Sequence, residues 1–324
     1  MKTIMNASRL FAAALALALT GLTNATRAAD PEIPFWAFVV DPPGLARAAD
    51  DGTPLHVPDS NIAFTLTQIR NLFAVPDWHP GDHPEMPDIV AQGRKPAVFA
   101  CAYCHLPNGL GRPENSSLAG LPAEYIVQQV KDFQSGARRS SEPRSLPVNL
   151  MVSLAKAVSD EELRIAADYF ASLQAKPWLR VIEADVVPKT EALGWMLAPS
   201  KDGGSENIGQ RIVEMPIDLE RTELRDARSG FIAYAPTGSV AKGRSLATAS
   251  AVTPCAACHG EGLKGLGPVP ALAGRSPSYL FRQLYDMQHG TRNGSWSALM
   301  KPVVAKLSEG DMLALAAYCA SLAP

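Results

Sequence analysis

The chain has 324 residues, 47% of them hydrophobic and 19% charged, with a formal net charge of −2. That balance suits a globular chain of about two domains and argues against a disordered or collagen-like one. A mildly acidic chain with no dense basic block is not built to neutralise phosphates, which argues against nucleic acid as a partner.

Residues 1–28 read as a secretory signal peptide. Lys2 and Arg9 form a basic start, Leu10 to Leu22 is an apolar run, and Thr26-Arg27-Ala28 offers a small-residue cleavage site. The run falls short of the roughly 20 residues that span a bilayer, and an uncleaved anchor is the alternative. Losing Lys2, Arg9 and Arg27 leaves 27 basic against 32 acidic residues, so the mature chain stands at −5. Residues 29–87 form a proline-rich N-terminal extension. Phe35, Trp36 and Phe38 give it apolar anchors, so it is expected to wrap over the domains or to form a partner surface. Within it His79 and His83 are candidates for a metal or a haem edge, against packing as the preferred reading.

Two motifs then carry the chemistry: Cys101-Ala-Tyr-Cys104-His105 and Cys255-Ala-Ala-Cys258-His259. C-x-x-C-H is the attachment signature of c-type haem. One turn of chain presents both sulfurs to one porphyrin edge, and the next residue, the histidine, falls under the iron. A zinc ribbon pairs its two knuckles about 15–20 residues apart, whereas these lie 154 apart. Two covalent haems are therefore expected, held by Cys101, Cys104, Cys255 and Cys258, with His105 and His259 as axial ligands. Haem attachment takes place outside the cytoplasm, which agrees with the leader and points to the periplasm.

The same shift of 154 superposes the two halves. Leu118-Ala119-Gly120 falls on Leu272-Ala273-Gly274, Tyr125 on Tyr279, Gln129 on Gln283, Asp132 on Asp286, Gly136 on Gly290 and Arg138 on Arg292. One unit is present twice, over residues 88–175 and 238–324. Each unit is expected to hold three main helices. The first runs into the haem motif from Asp88 or Ser239. The second opens at Pro122 or Ser276-Pro277 and ends at Gly136 or Gly290. The third opens on a capping box, Ser159 with Glu162 or Ser308 with Asp311. Residues 176–237 form a long connector with a candidate hairpin of two short strands, 211–215 and 230–234. The expected fold is all-α apart from that hairpin. Cys319 has no CxxC partner and aligns with Phe170, so a small buried hydrophobe is expected there.

With these features the chain resembles the dihaem class I cytochromes c, particularly the cytochrome c4 type. The resemblance rests on the two haem motifs, on LAGLPAEYIVQQVKDFQSGAR and LAGRSPSYLFRQLYDMQHGTR, and on a methionine eight residues before each Ser-capped final helix. It implies two tandem cytochrome c domains and His–Met ligation of each iron. Carried over by position, His105 pairs with Met151 and His259 with Met300. It also implies single-electron transfer with redox proteins: a periplasmic dehydrogenase, a terminal oxidase or a small cytochrome. Membrane association is expected only through a partner or an uncleaved leader. The alternative function is a haem enzyme acting on a sulfur compound or peroxide at one iron. The long extension and connector depart from the family's pattern.

Overall fold

The chain's first described element lies in the proline-rich extension, where Thr65 caps the short α1 (Leu66–Ile69). The computed structural model describes residues 33–46, 48–248 and 254–324; the leader assigned to residues 1–28 lies outside them. The first repeat holds α2 (Asp88–Ala91), α3 (Cys101–His105), α4 (Ala123–Ser135), α5 (Leu146–Ala157) and α6 (Asp160–Ser172). The connector carries β1 (Leu179–Glu183), β2 (Val186–Pro188), β3 (Thr190–Leu193), β4 (Met196–Pro199), β5 (Ser205–Asn207), β6 (Val213–Pro216), α7 (Leu219–Glu223) and β7 (Phe231–Ala235). The second repeat holds α8 (Ser239–Thr248), α9 (Ala256–His259), α10 (Pro277–Gln288), α11 (Lys301–Val304) and α12 (Glu309–Ser321).

The caps that open and close the long helices lie where the sequence places them. Ser159 and Ser308 accept from the backbone N–H of Glu162 and Asp311, and both capping boxes close. Ser276 caps α10 through the N–H of Tyr279. Gly136 follows α4 with φ +77°, a conformation that costs glycine nothing. Two expectations need correcting. In the first repeat no single helix runs into the haem motif. Gly93 stands at φ +67°, and a Cβ there would lie 2.2 Å from the carbonyl oxygen of Val98. The chain therefore turns back between α2 and α3. Its counterpart Gly243 stays helical within α8, where it allows α12 to approach: a Cβ would lie 2.0 Å from the oxygen of Ala314. Met151 also sits in a helix of its own, α5, so the first repeat has more than three helices.

Each repeat builds a core from its two long helices. Ile126, Val130 and Phe133 of α4 pack with Leu163, Ala167 and Phe170 of α6. Phe281 and Tyr285 of α10 pack with Met312, Ala316 and Cys319 of α12. Cys319 is 5% exposed and Phe170 is 1% exposed, so the thiol fills the place of the phenyl ring as expected.

The connector corrects the all-α expectation. The two strands of the candidate hairpin do pair antiparallel, Val213 opposite Tyr234 through Pro216 opposite Phe231. They are not a tight hairpin, because α7 lies between them. β1 adds to the other edge of β7 in parallel, giving the order β1-β7-β6. Two further pairs, β2 with β5 and β3 with β4, complete the sheets among the described residues. The extension packs by its aromatic residues: Trp36 lies against Phe281, Phe38 against Tyr285 and Phe64 against Trp78.

The repeats meet across a local two-fold made of the very residues that superpose in sequence. Arg138 donates to Tyr279 Oη at 3.0 Å and Gln283 Oε1 at 2.9 Å. Arg292 donates to Tyr125 Oη at 2.8 Å and Gln129 Oε1 at 2.9 Å. Each arginine also donates to the glutamine of its own repeat. The backbone repeats the symmetry: Arg139 N donates to Thr291 O, and Asn293 N to Ala137 O.

Candidate haem sites

The two motif helices, α3 and α9, aim their histidines in the same way. His105 Nδ1 lies 2.8 Å from the carbonyl oxygen of Ser116, and His259 Nδ1 lies 2.8 Å from that of Pro270. Both acceptors are eleven residues on, at superposed positions of the repeat. A carbonyl only accepts, so each Nδ1 carries the hydrogen and each Nε2 keeps its lone pair for a metal. Burial lowers both imidazole pKa values, which holds them neutral and ligand-competent.

In the first repeat the chain encloses a cavity of about 430 Å³. Its wall holds Cys101, Cys104 and His105 together with Met151 and Leu154 from α5. The structure thus brings together the four residues carried over for the first haem. Leu118, Ile126, Val130, Phe133 and Phe170 supply apolar walls, and Tyr279 and Gln283 reach in from α10. Burial pushes the Cys101 thiol up to about 12 and raises that of Cys104. In the second repeat Cys255 stands at the N-terminus of α9 and Cys258 lies within it, burial raises the Cys255 thiol pKa, and Met300 precedes α11.

The charge of the cavity fits a group that carries carboxylates. Arg70, Arg138, Arg139, Arg225 and Arg282 line it against only Glu114 and Asp286. Arg138 is buried, yet it has no carboxylate within ion-pair distance among the described residues. Buried guanidinium groups with only neutral acceptors are costly unless an anion faces them. A haem, apolar over most of its area and bearing two propionates, matches this donor set.

His79, His83 and His289 serve packing. His79 Nε2 bonds the fully buried Asp226 at 3.0 Å, and Arg221 pairs with the other oxygen. His83 bonds Asp77 at 3.2 Å and lies 3.3 Å from the Tyr169 hydroxyl. They tie the extension to the connector and to α6. No cluster of His, Cys, Asp or Glu among the described residues is arranged to hold a further metal ion. His289 stacks on Tyr285 with ring centres 3.9 Å apart. No helix among the described residues is long and apolar enough to cross a membrane. The arginines of the repeat boundary are functional-site residues that motif reasoning missed. Their recurrence at a shift of 154 was the available signal.

No family model matches the chain. A thiosulfate dehydrogenase electron acceptor of Stutzerimonas stutzeri is 30% identical over 233 residues, covering 71% of this chain and 82% of that protein. Cytochrome c4 of Azotobacter vinelandii is 25% identical over 240 residues, covering 72% and 89%. The solved structure of reduced recombinant cytochrome c4 from Pseudomonas stutzeri aligns at 22% identity with a TM-score of 0.44, over 68% of this chain and 93% of that one. With its two attachment motifs and 30% identity over most of both chains, this chain belongs to the cytochrome c4-like dihaem class I cytochromes c and carries two covalently bound c-type haems.

Proposed function

We propose that the chain is a periplasmic electron acceptor and relay for a dehydrogenase, with thiosulfate dehydrogenase as the donor. Residues 88–175 and 238–324 are its functional units, joined by 176–237 and preceded by the extension 29–87 and an export leader, 1–28. The observation that carries the proposal is the pairing of His105 and Met151 on the wall of one cavity. If both bind the first haem iron, they would leave no open position there for a substrate. The name of the Stutzerimonas relative supports the donor class.

When bound, each haem supplies one-electron exchange at its iron. The protein sets how easily that exchange runs. Cys101, Cys104, Cys255 and Cys258 anchor the porphyrins. Ser116 O and Pro270 O hold Nδ1 of His105 and His259, which would leave Nε2 to bind the iron. The thioethers of Met151 and Met300 would complete the ligand sets and would raise the reduction potential.

Met151→Ala and Met300→Ala are each expected to remove one haem's share of the near-infrared methionine-to-iron charge-transfer band. Each variant should also lower one of two reduction potentials and open one ferrous iron to carbon monoxide. The unaltered protein is expected to bind carbon monoxide slowly or not at all. An unchanged spectrum in either variant, or rapid binding by the unaltered protein, contradicts the closed-iron relay and favours a haem enzyme.

A further inference from the structure

The duplication provides an internal comparison of the same face in two settings. In the first repeat the face around the attachment motif is covered by the connector. The Arg225 guanidinium lies 3.8 Å from the centre of the Tyr103 ring and donates to the Tyr103 carbonyl at 2.8 Å. Asn108 donates to Ala227 O at 2.5 Å, and Arg112 donates to Thr222 O at 3.0 Å. Tyr103 and Arg112 are each 6% exposed.

A shift of 154 places Ala257, Gly262 and Leu266 where Tyr103, Asn108 and Arg112 stand. Each of the three residues that grip the connector is replaced by one with no polar side chain. All three replacements are exposed, Leu266 to 59%. Pro268 and Ala256 extend the apolar patch, while Glu261 and Lys264 stand on it with opposite charges. Among the described residues, the fold closes this face in one repeat with its own polypeptide and leaves it uncovered in the other.

We propose that the open face around Ala257, Cys258 and Leu266 is the docking surface for the redox protein that donates electrons, and that the connector bars the same partner from the first repeat. The proposal rests on the relay function above. The occupant is a redox protein that presents a small apolar rim around its own cofactor edge. The uncharged character of the patch and the cancelling pair Glu261 and Lys264 point to that chemistry. The seating of polypeptide on the equivalent face of the first repeat points to a protein rather than a small reductant. In each transfer the partner's cofactor loses one electron and the ferric second haem gains it. That electron would then be available to the first haem, the second being restored to the ferric state.

The test is stopped-flow reduction of the dihaem protein by thiosulfate-reduced thiosulfate dehydrogenase and, separately, by reduced tetramethylphenylenediamine. A charge placed in the apolar centre of such a contact is left unpaired and desolvated, so Leu266→Glu should slow reduction by the dehydrogenase at least about tenfold. It should leave reduction by the small donor and the haem spectra unchanged. Ile217→Glu, which charges an exposed position on the connector, should leave both rates unchanged. Equal rates for Leu266→Glu and the unaltered protein with the dehydrogenase overturn the proposal, as does slowing by Ile217→Glu alone. If the unaltered protein takes electrons from the small donor but not from the dehydrogenase, the relay from this donor fails and the docking surface fails with it.

Discussion

The double variant Cys101→Ala, Cys104→Ala is expected to lose one haem and, with it, the ordered fold of the first repeat. The cavity lined by these cysteines measures about 430 Å³. At about 24 cal/mol per Å³ of unfilled space, an empty cavity of that size costs on the order of 10 kcal/mol. The whole stability of a domain is about 5–15 kcal/mol. The walls formed by Ile126, Val130, Phe133 and Phe170 should therefore collapse rather than stand open. Mass spectrometry after acid–acetone extraction should show one covalent haem in place of two. Near-ultraviolet circular dichroism should lose the contribution of the first repeat. Two haems retained in the variant would refute the assignment of these cysteines.

A second large effect is expected at the boundary between the repeats. Arg138→Ala removes the donor to Tyr279, Gln283 and Gln129 and strips the guanidinium from the Phe133 ring, 4.6 Å away. Hydrogen bonds from a charged group contribute about 1.5–3 kcal/mol each, and part of that is offset by returning the guanidinium's burial cost, so a loss of about 2–3 kcal/mol is expected. Arg292 still serves Gln129 and Gln283 in that variant. The double variant Arg138→Ala, Arg292→Ala orphans both glutamine oxygens at once. Its cost should exceed the sum of the single costs by about 1 kcal/mol. Denaturant unfolding of the four proteins measures this directly. Additive costs would mean that the two arginines act independently.

Much of the site was legible because its signals are local. CxxCH fixes sulfur and imidazole positions within one helical turn, and a capping box needs only four residues, so Ser159, Glu162, Ser308 and Asp311 were readable. The duplication was readable as well, from Tyr125, Gln129 and Arg138 and their counterparts. Its meaning was not: identity at a shift of 154 reports common origin, and nothing in it says that these residues face each other. Long-range pairing was hidden for the same reason. β1 gives no strict alternation, with Leu179, Val181 and Ile182 all partly buried, and its partner β7 lies some fifty residues on. The helix around Met151 was missed because Pro147 and the near-continuous apolar run of 146–155 show no amphipathic face. The break at Gly93 looked like the helical Gly243, because the same residue in the same repeat position serves a turn in one unit and a close helix crossing in the other.

The central claim is that the protein receives electrons and performs no substrate chemistry of its own. The most direct test mixes the ferric dihaem protein with thiosulfate, first alone and then with a catalytic amount of thiosulfate dehydrogenase. With thiosulfate alone both haems should stay oxidised. With the dehydrogenase added, both should become reduced, two electrons per chain, and air or a terminal acceptor should reoxidise them. Reduction of the isolated protein by thiosulfate without the dehydrogenase, abolished by replacing Met151 or Met300, would contradict the account and make one haem a catalytic centre.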